Sequence, residues 1–299
     1  MQHTKLIGIA AFSATLCLAA LTQSAGAQSM SAAQVVEKNL AARGGSAWKS
    51  VDAITWTGKM DIGSTNSITR SSRFVKSGHA PTSRKDLDNR DAKNGAEDNQ
   101  LQAPFSMTVQ RPNSVRVELV FSGKTAVQVF DGKQGWKLRP YLNRSDAEPF
   151  SADEIKVESR TVVDGPLFDY AAKGTKIEMA GMEPVDGRSA YKLKLTLKDG
   201  TVEHVWIDAQ NFLDVKLEGT PRRMDNRLHP VYTYQRDFRN VHGVSVPFLM
   251  ETKVDGYPDS HKMVIENVVV NPKLTAASFS KPAPVAASIK AADKSNHGA

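Results

Sequence analysis

Period-two alternation, interrupted repeatedly by Asp-Gly pairs, most narrows what this chain can become. Tyr191, Leu193, Leu195 and Leu197 alternate with Lys192, Lys194 and Lys198, which is the pattern of a strand with one apolar and one wet face. Asp186-Gly187 and Asp199-Gly200 bracket this run. Such pairs supply the positive φ angles of primed hairpin turns, so the strands they join are expected to be antiparallel neighbours. The same reading predicts strands over 176–185, 202–207, 212–217, 231–238, 244–254 and 263–270. The later ones are joined through Asn240-Val241-His242-Gly243 and Asp255-Gly256-Tyr257-Pro258. Between them, residues 219–228 carry Arg222, Arg223 and Arg227 and read as a basic exposed loop.

The first half repeats the theme. Ile54, Trp56, Gly58, Met60 and Ile62 alternate with Thr55, Thr57, Lys59 and Asp61, and 68–75 reads as a partner strand. Phe105, Met107 and Val109 resume the pattern up to Pro112-Asn113. Residues 115–138 then form a meander, with Val115, Val117, Leu119 and Phe121 on one face of its first strand. Residues 125–130 follow, and Phe130-Asp131-Gly132-Lys133-Gln134-Gly135-Trp136 turns into a third strand. That strand places Trp136 and Leu138 on one side, with Lys137 and Arg139 on the other.

Helical signals are few. Ser31-Ala32-Ala33-Gln34 and Ser151-Ala152-Asp153-Glu154 have the form of capping boxes. The first predicts an amphipathic helix ending at Gly44-Gly45. The second predicts short helices over 155–163 and 167–172, broken at Asp164-Gly165-Pro166. Residues 76–102 are polar and charged and read as an inserted loop; 142–150 read as a polar connection. Residues 281–299 are Ala, Lys, Ser and Pro with little to bury, the composition of a disordered tail.

The pattern predicts a mainly β chain of ten to twelve strands, with too few helices to cover its apolar face. Two architectures satisfy that demand. A large antiparallel sheet can curl into an unclosed barrel, with helices as lid or plug over a cavity, or it can fold into a sandwich with a solid core.

Lys5, the apolar run 6–20 and Ala25-Gly26-Ala27 have the form of a secretory signal peptide, with cleavage expected after Ala27. The run is shorter than the roughly 20 apolar residues a spanning helix needs. Cys17, the one cysteine, lies inside it, so the expected mature chain, residues 28–280 as one domain plus the tail, has no disulfide and no thiolate chemistry. The whole chain has 39 basic and 32 acidic residues, and loss of Lys5 leaves a formal charge of +6. This balance suits transient contact with anionic lipid surfaces, whereas export argues against nucleic acid.

A search for chemistry is negative. His204, His229, His242 and His261 lack metal-ligand spacing, and neither a Gly-x-Ser-x-Gly elbow nor a phosphate loop is present. No cofactor, metal or catalytic residue is expected, and the chain is not expected to be an enzyme.

Ala42-Arg43-Gly44-Gly45, Trp48 and Ile54-Thr55-Trp56-Thr57-Gly58 resemble the periplasmic outer-membrane lipoprotein-sorting proteins, the LolA-like group. The stretches from Phe130 to Trp136, Val205-Trp206-Ile207-Asp208 and Val241-x-Gly243-Val244-x-Val246-Pro247-Phe248 fit the same pattern. The resemblance implies an unclosed barrel whose helices form a lid over a cavity for acyl chains. It also implies a periplasmic carrier that takes a lipid or lipoprotein from one membrane protein partner and passes it to another at the inner or outer membrane. Insertion 76–102 departs from the compact carrier pattern. A sensor or adaptor that binds a lipidated ligand and regulates a membrane partner, as sigma-factor regulators of related fold do, is the alternative. Trp56, Leu119, Phe121, Trp136, Leu138, Leu193 and Leu195 are the candidate ligand-lining residues, because each lies on an apolar strand face. Plain core is the competing reading for every one of them.

Overall fold

The computed structural model describes residues 30–64 and 100–285. The expected signal peptide, the expected 68–75 strand, most of the expected 76–102 insertion and the chain beyond 285 lie outside the described residues. No helix among those described is long and apolar enough to cross a membrane.

One antiparallel sheet of 13 strands, not closed into a barrel, organises the chain. Strands β1 (Ala53–Ser64), β2 (Gln100–Gln110), β3 (Ser114–Phe121), β4 (Lys124–Phe130), β5 (Gly135–Arg139) and β6 (Arg144–Pro149) follow one another as a meander. So do β7 (Lys176–Val185), β8 (Arg188–Thr196), β9 (Val202–Asp208), β10 (Asp214–Met224), β11 (Arg227–Val241), β12 (Val244–Val254) and β13 (Ser260–Val270). Pairing of β1 with β13 welds the two meanders, so the first and last strands are central and β6 and β7 are the two edges. The 150–175 linker connects one edge to the other.

Several expectations are corrected. Residues 144–149 form β6, a strand the alternation rule misses because an edge position keeps charged residues such as Arg144 and Glu148 half in water. The 219–228 loop is instead the end of a long hairpin, with β10 running to Met224 and β11 starting at Arg227. Its two-residue turn, Asp225-Asn226, has φ of 50° and 61°, the primed geometry achieved without glycine. Residues 100–102 belong to β2 rather than to the insertion. In the linker only Ala152–Glu158 (α2) is helical; 159–175 is a series of turns, with Asp169 at φ 46° where a helix was expected.

Both capping boxes form. In α1 (Ala32–Ala42) the Gln34 N–H donates to Ser31 Oγ, and the Ser31 N–H donates to Gln34 Oε1 at 2.9 Å. Val35 and Val36 are buried by this helix, which ends at Gly44 with φ 115°. A β-carbon on Gly44 would lie 2.3 Å from the Gly243 carbonyl oxygen, so the helix end and the β11–β12 turn can meet only through glycine. A 3-10 turn, Gly45–Ser50, then buries Trp48, whose indole N–H donates to the Arg43 carbonyl at 2.9 Å. Gly58 occupies a β-bulge between β1 and β13, where a β-carbon would sit 2.0 Å from Val264 O.

The sheet face that carries α1, the 3-10 turn and the linker is the inner face. Its main core joins Ile54, Trp56, Phe105, Val109, Val115, Phe130, Val246, Phe248, Ile265 and Val268 from the strands to Trp48, Val163 and Phe168 from the covering segments. Apolar groups also lie on the outer face, against the expectation of a single dry face. Trp206, Val185, Ala190 and Val215 cluster there with Tyr232 and Tyr234, and Lys216 Nζ stands 4.2 Å from the Trp206 ring centre and 3.9 Å from that of Tyr232. Burial lowers the pKa of Lys216. Elsewhere on that face the C-terminal segment lies against β2 to β5, with Phe279 and Pro282 buried and Arg116 donating to the Ser278 carbonyl. The Val285 N–H donates to the Ser145 carbonyl of β6 at 2.9 Å, so the first residues of the expected tail are docked.

Candidate functional site

Cross-strand register decides which of the candidate lining residues share a surface, because paired residues project from the same side of a sheet. Trp56 pairs with Met107, which pairs with Val117; Leu119 pairs with Phe105 and through it with Gly58. Trp56, Leu119 and Phe121 are therefore on the inner face. Following the register through β13, β12, β11, β10 and β9 places Leu193 and Leu195 of β8 on that face as well. Trp136 and Leu138 are on the other face. Trp136 pairs with Val129, Val129 with Arg116, Arg116 with Thr108 and Thr108 with Thr55. Trp136 lines a hollow with Leu274, Thr275, Ala276 and Phe279 beneath the C-terminal segment. Grouping it with Phe121 fails because the alternation gives two faces per strand but not how the faces of successive strands correspond across a turn.

The inner-face residues are not equivalent. Trp56 belongs to the main core, and Leu119 packs half-buried against it. Phe121 stands at the end of β3, edge-on to Tyr141. Leu193 and Leu195 are fully buried in the other half of the sheet. Trp56 Nε1 is buried with no hydrogen-bond partner among the described residues, an orphan donor on an otherwise apolar wall.

The linker borders a cleft of about 1000 Å³ that sequence reasoning missed. Its walls come from the β2–β3 turn (Arg111, Pro112, Asn113), the linker (Lys156, Ser159, Arg160, Val162, Asp164, Pro166, Lys173, Thr175) and the β8–β9 region (Leu197, Lys198, Asp199, Glu203). Glu203 pairs with Leu195 and Leu197 lies two residues beyond it, so the cleft opens on the strand that carries Leu193 and Leu195.

Two ionic clasps hold the linker to the sheet. In one, the Asp164 carboxylate, 1 % exposed, receives Arg111 Nη2 at 2.8 Å and Lys173 Nζ at 3.2 Å. Arg111 also donates to the carbonyls of Val51 and Trp48, and Arg43 donates to the Asp164 carbonyl at 2.7 Å. In the other, Arg160 reaches Asp199 at 2.7 Å, Glu203 at 3.1 Å and Thr201 Oγ1 at 2.8 Å, with Lys156 3.3 Å from Asp199. Hydrogen bonds from the side chain and N–H of Thr201, then from Arg160 and Lys156, hold the Asp199 carboxyl below the usual carboxylate range. Burial pushes Glu203 the other way, with Arg160 opposing it. These residues come from turns far apart in sequence and carry no local periodicity. The break at Asp164-Gly165-Pro166 was their one visible sign.

Behind the first clasp lies a buried ion pair. Arg43 Nε is 3.2 Å from Asp214 Oδ2, and both side chains are almost fully buried. Asn39 Nδ2 donates to Asp214 Oδ1 at 3.2 Å and to the Phe212 carbonyl at 2.8 Å. The guanidinium stands over Trp48 and Phe168. Burial raises the Asp214 pKa, and Arg43 and Asn39 counter it. The Arg43-Gly44-Gly45 and Trp48 motif thus ties α1 to the sheet and the linker. Among the described residues, no group of three or more His, Cys, Asp or Glu side chains is placed to hold a metal ion.

No family model matches this chain, and no curated protein matches it. Solved structures do. A LolA superfamily protein from Nitrosomonas europaea is 14% identical with a TM-score of 0.50, over 84% of this chain and 98% of its own. A DUF1329 family protein from Desulfovibrio piger is 12% identical with a TM-score of 0.51, over 83% of this chain and 97% of its own. The expected architecture, an open antiparallel barrel with few helices, is the observed one, and this chain has the LolA-superfamily fold.

Proposed function

We propose that the protein is an exported, periplasmic carrier that shelters the acyl chains of a lipid or lipoprotein and passes them to a membrane acceptor. The observation that carries this reading is the linker cleft, a space of about 1000 Å³ between the two meanders' turns with an ion-paired rim and apolar wall positions. Pro112, Val162, Pro166 and Leu197 would meet the chain nearest the rim, and the face behind them bears Leu193 and Leu195. Trp56, Leu119 and Phe121 extend the same face in the first meander. Each buried methylene would contribute about 0.8 kcal/mol, so two acyl chains would be held strongly, whereas a single chain would bind only marginally and reversibly. The orphan indole N–H of Trp56 would find an acceptor in an ester carbonyl.

In this reading the linker is the lid. It joins the two sheet edges and is held by side-chain contacts, the ion pairs at its middle and near α2 together with the buried Val163, Leu167 and Phe168, so it can move without breaking a β-ladder but must uncover part of the core. The cleft carboxylates act as structural anchors, since Asp164, Asp199 and Glu203 are each engaged by Arg or Lys. The formal positive charge would favour docking on anionic membranes.

Mass spectrometry of lipids released from the purified chain, followed by uptake of a labelled phospholipid from vesicles, tests the proposal. Copurified acyl lipid and saturable uptake are the expected results. A chain that emerges empty and takes up nothing would overturn it.

A further inference from the structure

Apart from the cleft, one row of the inner face departs from the residue types around it. Met60 on β1 pairs directly with Met263 on β13, and Met263 pairs directly with Met250 on β12. Three methionines therefore stand side by side on three adjacent strands, on one face, all half-buried against the main core. Strands favour β-branched and aromatic residues, and β1 uses Ile54 and Trp56, then Gly58 at the bulge, at the preceding inner positions. We infer that this row is a binding site for a soft monovalent cation, Cu(I) or Ag(I), held by three thioether sulfurs.

The geometry permits convergence. Directly opposed β-carbons on neighbouring strands lie about 4.5–5.5 Å apart. Met263, in the middle, is within reach of both others, and flexible unbranched side chains let Met60 and Met250 lean toward it. The donor set selects the ion. Thioethers are neutral and soft, which suits Cu(I) and disfavours Zn²⁺, Mg²⁺ and Ca²⁺, whose sites use imidazole, thiolate or carboxylate oxygen. The next residues along the row are Ala103 on β2 and Gln235 on β11, both uncharged, so no carboxylate of the row competes for a harder ion. The sole cysteine is Cys17, which leaves methionine sulfur as the soft donor available in the strands. Partial exposure gives the ion a way in. Met107 is an internal control: it is half-buried on the same face but pairs with Trp56, about four residues along β1 from Met60.

The test is a titration of the full chain, carrying Cys17→Ser to remove its thiol, with Ag(I) in chloride-free buffer, read by native mass spectrometry. Competition against a Cu(I) chelator under reducing conditions gives the affinity for copper. One ion per chain is expected. Met263→Leu, which keeps volume and apolarity, should weaken binding roughly 10-fold or more, as should Met60→Leu and Met250→Leu, whereas Met107→Leu should not. Methyl NMR of the unmutated side chains keeps the test independent of any folding defect: Ag(I) should shift the Met60, Met250 and Met263 ε-methyl signals and leave that of Met107. Failure to bind one ion, or binding that Met263→Leu does not weaken with the three methyl signals unmoved, would overturn the assignment. The outcome does not depend on lipid carriage, because uptake from vesicles is measured separately.

Discussion

Replacing Arg43 by Met isolates the interaction on which the packing of helix, linker and sheet converges. Met keeps much of the side-chain volume over Trp48 and Phe168 but removes the charge. Asp214, whose side chain is 4 % exposed, then loses the cation 3.2 Å away and keeps the hydrogen bonds from Asn39 and from its own backbone N–H. Breaking one partner of a buried pair costs about 3–5 kcal/mol, chiefly the uncompensated charge. The charged hydrogen bond to the Asp164 carbonyl is lost too, and such bonds contribute about 1.5–3 kcal/mol. Because the carboxylate can escape by taking up a proton, the total at neutral pH should be about 4 kcal/mol rather than the sum. The sign of the pH effect follows. Asp214 already has a raised pKa in the fold, and without Arg43 it rises further. A raised carboxyl contributes stability that is present below its unfolded value and lost as pH rises through the folded one. The deficit of Arg43→Met should therefore shrink on acidification. Urea unfolding followed by tryptophan fluorescence gives the free energies. Arg43→Met combined with Asp214→Asn should recover more than half of the loss at neutral pH. A single-variant cost below about 1 kcal/mol, or a double variant no more stable than Arg43→Met, would refute the reasoning.

Gly44→Ala should cost about 2 kcal/mol or more, since φ is 115° and the new β-carbon meets the Gly243 oxygen at 2.3 Å; an unchanged urea midpoint would contradict this contact. Trp136→Arg should leave lipid uptake intact while Leu119→Arg weakens it, because the register puts them on opposite faces; the reverse order in a vesicle-uptake assay would sink the face assignment. Burial raises the Glu203 carboxyl above its ordinary 4.5, so its contribution to stability is present below that value and lost as pH rises through the folded pKa. Glu203→Gln should flatten this part of the stability profile in thermal melts across mildly acid pH, and an unchanged slope would count against it.

What could be read from the sequence was set by distance along the chain. The Asp-Gly turns and alternating strands carry local information, and they yielded the hairpins of the second meander. Both capping boxes were legible because Ser, Gln and Glu act within one turn of helix. The charged edge strand β6 and the Asp225-Asn226 turn were not, since neither shows apolar alternation or glycine. The closure of β1 on β13 joins the two ends of the chain, and no local pattern encodes it. Trp136 shows the same limit at short range. Its alternation with Lys137 was plain, but the relation of that face to Phe121 depends on hairpin register. The cleft is assembled from segments around residues 111, 160 and 199, whose contacts exist only in the fold, so its charged residues read as ordinary turn and surface groups.

A carrier must move lipid from one membrane to another. Donor vesicles containing a radiolabelled phospholipid, acceptor vesicles without it and the purified chain between them measure that movement. Label should reach the acceptor at a rate rising with protein concentration, and Leu119→Arg should slow it. Binding without delivery would point instead to a sensor that reports lipid to a membrane partner. A chain that neither binds label nor moves it would contradict the account outright.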